Sequence, residues 1–226
     1  DTETTGVDID MDGEDELVGI VLGESETKST YFPFKHEAFD NLPMEFLDEI
    51  MPAIKRNEHR CTGHNDKFEH KIFLKTGGWD IRLAYDTFPL SFMINPVNHR
   101  GVHTLKNLVQ EATGNKYLEL SDIFTSENNI KFQVLPKELV RLYACPDGYN
   151  SIVVFKYLRD KLPKEEWQLY LKECELVTIK AENEYYGLRV DVDKYMRNAE
   201  NCDYVIDILL KTFRTLTHTD GNINSP

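Results

Sequence analysis

The chain has no run of the ~18–20 apolar residues needed to cross a bilayer, and no basic stretch followed by an apolar core that would mark a signal peptide. Its four cysteines, Cys61, Cys145, Cys174 and Cys202, are scattered without a CxxC. That spacing excludes a zinc ribbon or a disulfide framework and reads as reduced thiols in an intracellular protein. The seven histidines form no HExxH or related metal pattern. Positive charge is in short supply: 26 Lys and Arg against 39 Asp and Glu give a net charge of −13. Broad, non-specific attraction to nucleic acid is excluded, because phosphates would be repelled. An acidic protein can still act on phosphates if its carboxylates recruit divalent cations. There is neither an internal repeat nor a low-complexity tract.

What is present is a mixed α/β pattern over 226 residues, enough for one sizeable domain and an appendage. "DIDMDGEDE" (8–16) is an acidic turn, "LVGIVLGE" (17–24) a β-branched strand, and "KSTYFPF" (28–34) its antiparallel partner. Helical spacing covers 41–56, with Asn41 as cap and Pro43 in the first turn. Short strands are expected over 59–65 and 79–86, the first leading into a helix at "DKFEHKIFL". Further helices are expected over 87–95 and 102–114, the latter stopped by Gly114. A helix starts at Pro136, and "PDGYN" (146–150) reads as a turn before another helix that ends near 162. Beyond Pro163 strands cease. A long helix up to Gly187 and a second from about 192 to 217 form an expected helical hairpin, so the domain cut is placed between 162 and 163.

Acidic residues recur in a particular order. "DTETTG" (1–6) sets Asp1 and Glu3 two apart, on one face of a strand. Two carboxylates that close repel unless a cation intervenes, and oxygen-rich sites suit Mg²⁺ or Mn²⁺. "GHNDKFE" (63–69) sets Asn65 and Glu69 four apart on one helical face, with Phe68 between them. "YDTFPLSF" puts Asp86 at a strand-to-helix junction, and "LYACPDG" holds Tyr143 and Asp147 four apart. The segment "DIDMDGEDELVG" (8–19) mimics the opening of a calcium-binding EF-hand loop. Its twelfth position, where a bidentate glutamate is needed, is Gly19, so calcium is not expected there.

Taken in order, DxE, then HNxKF with an acid after it, then Asp-Thr opening a helix, then YxxxD resembles the 3′–5′ proofreading exonuclease domain, DEDDy group, of family-A DNA polymerases. The likeness covers about residues 1–162. "KECELVTIKAENEYYGLRVDVDKY" (172–195) resembles the entry into the polymerase thumb in the same family. The resemblance implies a ribonuclease H-like fold, a mixed central sheet flanked by helices, followed by the helical hairpin.

It implies two ions, Mg²⁺ or Mn²⁺, held by Asp1, Glu3, Glu69 and Asp147, with Asp1 touching both. It casts Tyr143 as the residue that orients the attacking water, since a phenol titrating near ~10 is a poor base at neutral pH. Asn65 and Phe68 would lie along the path of a single-stranded DNA 3′ end, with Asp86 in support. The partner is then the palm and fingers of a bacterial or bacteriophage polymerase in the cytoplasm, with no membrane involved.

Two departures matter. Glu69 stands where the family carries an aspartate, and Pro146 lies inside the fourth motif. They motivate an alternative, an exonuclease-fold module with impaired catalysis that serves as a structural or DNA-binding platform. A ribonuclease D-like enzyme of the same fold is a third reading, which the thumb-like "YYGLRVDVDKY" disfavours.

Overall fold

The computed structural model describes residues 1–96, 100–116 and 131–218. Three antiparallel strands, β1 (Thr2–Thr4), β2 (Leu17–Ser25) and β3 (Lys28–Pro33), form a sheet in the order β1-β2-β3. Thr2 lies opposite Ile20, Glu3 opposite Gly19, and Ile20 opposite Phe32. β2 is buried from Leu17 through Val21 because both of its faces are covered. Leu17 and Ile20 enter a core with Leu47, Met51, Ile72 and Phe73, from helices α1 (Leu47–Asn57) and α2 (Lys67–Gly77). On the opposite face lies α5 (Lys137–Arg159), which packs on β2 and β3.

The strands expected over 59–65 and 79–86 shrink to β4 (Thr62–Gly63) and β5 (Tyr85–Asp86), a short parallel pair. The backbone of 82–84 is taken up elsewhere: the amides of Arg82 and Ala84 donate to the carboxylate and carbonyl of Glu58. α3 (Thr87–Ile94) and α4 (Leu105–Thr113) follow, and Gly114 closes α4 with φ of 75°. Asn41 does not cap the helix after it. Its side chain bonds the backbone of His36, and the helix opens with a 3-10 turn at Met44–Phe46.

The expected break at "PDGYN" is absent: α5 is one continuous helix of 23 residues. Pro146 removes one amide donor from its interior, but the residue whose carbonyl loses that bond, Leu142, is 58% exposed, so water can reach it. Gly148 has a packing task instead of a turning one. A Cβ there would stand 2.5 Å from Val21 Cγ1, and one on Gly23 would stand 2.4 Å from the Gly148 carbonyl oxygen. The two glycines let helix and sheet approach at this point.

The first compact unit is Asp1–Gly187 and therefore includes α6 (Trp167–Tyr186), which lies beyond the expected cut at 162. α6 packs on α2 and α3, and Tyr170 and Cys174 are buried in a second core with Leu90, Leu108, Val154 and Leu158. The Tyr170 hydroxyl donates to the Asp86 carbonyl at 3.1 Å and accepts from the Asp86 amide at 3.0 Å. Gly187 ends the helix with φ of 69°. The second unit is Leu188–Pro226. Its helix α7 (Val192–Thr217) is capped by Asp191, which accepts from the Lys194 amide, and none of its residues is buried. Among the described residues no helix is long and apolar enough to cross a membrane.

Candidate metal centre

β1 and α5 carry the centre. Asp1 extends the β1 ladder, its carbonyl accepting from the Val21 amide at 2.8 Å. Two residues on, Glu3 projects from the same face. Asp147 reaches them from α5, at the point where Gly148 brings the helix against β2. One carboxylate oxygen from each of Asp1, Glu3 and Asp147 lies within 4.8 Å of the others.

Desolvation raises the pKa of Glu3 well above the ordinary carboxylate range, and the charge of Asp147 adds to the shift. Asp147 is pushed up to about 7 by desolvation, against the opposing pull of Lys106. Asp147 Oδ1 is buried with no hydrogen-bond partner. A crowded set of hard oxygen donors with an orphaned buried acceptor fits Mg²⁺ or Mn²⁺. The residues of this centre therefore suit the ions that the resemblance implies.

Glu69, in the first turn of α2, lies beside this group and not within it. It is 4% exposed, accepts from Thr2 Oγ1 at 3.4 Å, and leaves its Oε2 buried and unpartnered. Desolvation raises its pKa to about 7. Asp1, Glu69 and Asp147 line a cleft of about 1070 Å³, together with Asn65, Phe68 and Lys106. Tyr143 sits one helical turn before Asp147, its ring 5.8 Å from that of Phe132 and 5.7 Å from Lys106 Nζ.

Asp86 has a different place and is not among the residues lining this cleft. It is 2% exposed, and its carboxylate accepts from three backbone amides: Asn65 at 2.9 Å, Asp66 at 2.9 Å and Phe88 at 2.8 Å. It thereby caps α3 and holds Asn65 at φ of 62°, a left-handed conformation that asparagine tolerates better than most residues. Burial raises its pKa to about 6 despite those bonds. Asp86 shapes the loop that presents Asn65 and Phe68.

Two other acidic groups invite a metal reading and carry their own cations. In the calcium-like turn, Lys75 Nζ donates to the carbonyls of Asp8, Asp10 and Gly13, and Lys71 pairs with Asp10 at 2.7 Å. His70, Asp80 and Glu182 also converge within 4.8 Å. There Arg82 spans the carboxylates, Nε to Asp80 at 2.7 Å and Nη2 to Glu182 at 2.8 Å, and His70 Nδ1 faces the Ile81 carbonyl at 2.7 Å. Arg82 thus already pairs with both carboxylates of this group.

The sequence assigns no role to Lys106, although it falls within "LKNLVQEATG" (105–114), which also resembles the family's segment between the third and fourth motifs. A lysine at the second position of an amphipathic helix reads as a solvated side chain, and only the fold turns it toward the acids.

No family model matches the chain. Over its whole length it is similar to DNA polymerase I of Borreliella burgdorferi, with 20% identity across 228 aligned residues. The chain spans 24% of the length of that polymerase. Among solved structures, Brucella melitensis NrnC superposes with a TM-score of 0.62 at 14% identity, covering 80% of this chain and 81% of that one. The fold is thus mixed α/β and ribonuclease H-like, and the likeness to a DNA polymerase I read from the motifs extends across the whole chain.

Proposed function

We propose that this chain is the 3′–5′ exonuclease domain of a DNA polymerase I-type protein, hydrolysing the terminal phosphodiester of single-stranded DNA with two Mg²⁺ or Mn²⁺ ions. The observation that carries the reading is the meeting of Asp1, Glu3 and Asp147, from opposite ends of the domain, with a buried Asp147 oxygen left without a partner. Support comes from the likeness to DNA polymerase I and from the ribonuclease H-like fold.

Asp1, Glu3 and Asp147 would hold the ions, with Glu69 at their side. Bound there, such a pair supplies Lewis acidity that activates water and offsets charge on the departing 3′-oxygen. The chain's own residues do the rest. Tyr143, on the same helix as Asp147, orients the water. Asn65 and Phe68 hold the 3′-terminal nucleotide in the cleft, and the Asp86 carboxylate fixes the backbone from which they project. The segment from Leu188 onward would lead into the polymerase thumb, and palm and fingers would be the partners in the parent protein.

The test is degradation of a 5′-labelled single strand with Mn²⁺, comparing the natural protein with Asp147→Asn. Stepwise shortening from the 3′ end, lost in the variant, is the expected result. Equal rates for both proteins would refute the assignment. A second reading rests on Glu69, which lies outside the group of three: a module that binds single-stranded DNA without cutting it. It predicts binding with no shortening at any Mn²⁺ concentration.

A further inference from the structure

A second hollow adjoins the acid cleft. It measures about 420 Å³ and is lined chiefly by α3 and α6. Asn65, Lys67, Phe88 and Phe92 line both spaces, so cleft and hollow meet along these residues. That shared wall is fixed, because the Asp86 carboxylate holds the amides of Asn65 and Phe88. Phe88 and Phe92 meet edge to face, with ring centroids 5.1 Å apart. Met93 extends the aromatic side, and Leu169 and Val177 line the hollow from α6. Leu169 is 53% exposed, a large apolar side chain left uncovered in a concave place.

Two charges stand among these apolar groups. Glu173 and Lys180, both on α6, line the hollow, and among the described residues neither has a hydrogen bond or an ion pair. Lys67 differs, being paired with Glu184 at 2.8 Å.

Small-ligand sites span about 300–1,000 Å³ and combine apolar or aromatic walls with a few placed polar groups. This hollow has that size and that composition. Its parts match a nucleotide unit one by one. Aromatic and aliphatic walls suit a base, since every base has a π-face that can stack. An unpaired ammonium suits the phosphate. A carboxylate only accepts hydrogen bonds, so Glu173 suits the amino group of cytosine and offers nothing to the carbonyl of thymine. Inorganic phosphate would leave the walls bare, and a purely apolar ligand would bury two charges without partners.

Resting on the nuclease reading above, we propose that this hollow is a second subsite for the single strand. It takes the base of a nucleotide upstream of the 3′ end, reached across the wall that hollow and cleft share. Lys180 binds the adjoining phosphate, and Glu173 makes the subsite favour cytosine over thymine.

The test is calorimetry in Ca²⁺ with a deoxycytidine dinucleotide, a deoxycytidine octanucleotide and a thymidine octanucleotide. The natural protein should bind the longer cytidine strand about tenfold more tightly than the dinucleotide, the worth of one stacked base. Val177→Trp fills the hollow and should remove that gain without changing dinucleotide binding. Lys180→Gln should flatten the octanucleotide's slope of log K against log salt by about 0.7, one phosphate contact on a single strand. The cytidine octanucleotide should bind about fivefold more tightly than the thymidine one, and Glu173→Leu should abolish that preference. Lys180 and Glu173 have no partners within the protein to lose, so their variants decide the matter if Val177→Trp fails to fold.

The proposal stands if each folded variant acts as stated on the octanucleotides and none alters dinucleotide binding. It falls if the natural protein binds both lengths alike, or if any folded variant leaves its readout unchanged. In those cases shortening of a 5′-labelled strand by the natural protein with Mn²⁺ keeps the nuclease reading intact. No shortening overturns that reading, and this proposal with it.

Discussion

Asp86 ends β5 and Asp147 lies in the middle of α5; both have pKa values raised chiefly by desolvation, and they differ in what their oxygens meet. Asp86 is saturated: three backbone amides fill its carboxylate, and the Tyr170 hydroxyl clasps its own amide and carbonyl. Asp147 is open, with one buried oxygen that meets no donor. A raised pKa marks both and separates neither. Hydrogen-bond satisfaction separates them: an orphaned buried acceptor is open to a water or an ion in a way that a saturated carboxylate is not. The contrast can be pressed by experiment.

The largest effect should come from the open acid. Asp147→Asn keeps the shape and removes the charge, and the rate of single-strand shortening should fall by about 10³-fold or more, roughly 4 kcal/mol of barrier. The melting temperature in EDTA should hold or rise, since repulsion with Glu3 is relieved. A rate loss under about tenfold would sink the division of labour drawn here.

Asp86→Ala should do the reverse. Three amides lose their acceptor and the left-handed turn at Asn65 loses its anchor, so stability should drop by about 3–5 kcal/mol in urea titration. A loss below about 1 kcal/mol would mean that the saturated acid is dispensable.

Next in size is the pH response of the ion-free protein. Asp147 and Glu69 hold their protons up to about pH 7 and Asp86 up to about 6, whereas the unfolded chain releases them near ~4. Carboxyls with raised folded values stabilise the fold fully below the unfolded pKa and lose that contribution as pH climbs through the folded value. In EDTA the melting temperature should therefore fall by on the order of 10 °C or more between pH 5 and pH 8. Mn²⁺ at pH 8 should restore it, since bound ions stabilise the ionised cluster. A melting temperature that rises with pH in EDTA would contradict the burial of these acids.

Glu69→Asp should give the smallest change. Removing one buried methylene costs about 1 kcal/mol, and shortening rates should shift by less than about tenfold. A rate gain far beyond that would identify Glu69 as the reason for impaired catalysis.

Much of this was legible in the residues. β2, β3, α3 and the two long C-terminal helices follow from apolar pattern, and the resemblance carried by the ordered motifs implied Asp1, Glu3, Glu69 and Asp147, of which Asp1, Glu3 and Asp147 meet. Short-range signals misled where a distant contact decided. "PDG" is a turn by its composition, yet Gly148 is needed for the approach of α5 to β2, and the helix runs through. Residues 79–84 alternate like a strand, but Glu58 takes their amides. The boundary expected at 162 follows the loss of strands, whereas Tyr170 ties α6 into the first compact unit through the backbone of Asp86.

The meeting of Gly23 and Gly148 has one more consequence. An absent side chain sets the altitude of a helix above a sheet, and the neighbouring acid inherits that altitude as its reach. Selection for the chemistry would then be recorded in a residue that has no chemistry of its own. Drift toward alanine at 148 would lift Asp147 away from Asp1 and Glu3 while every acid in the centre stayed the same.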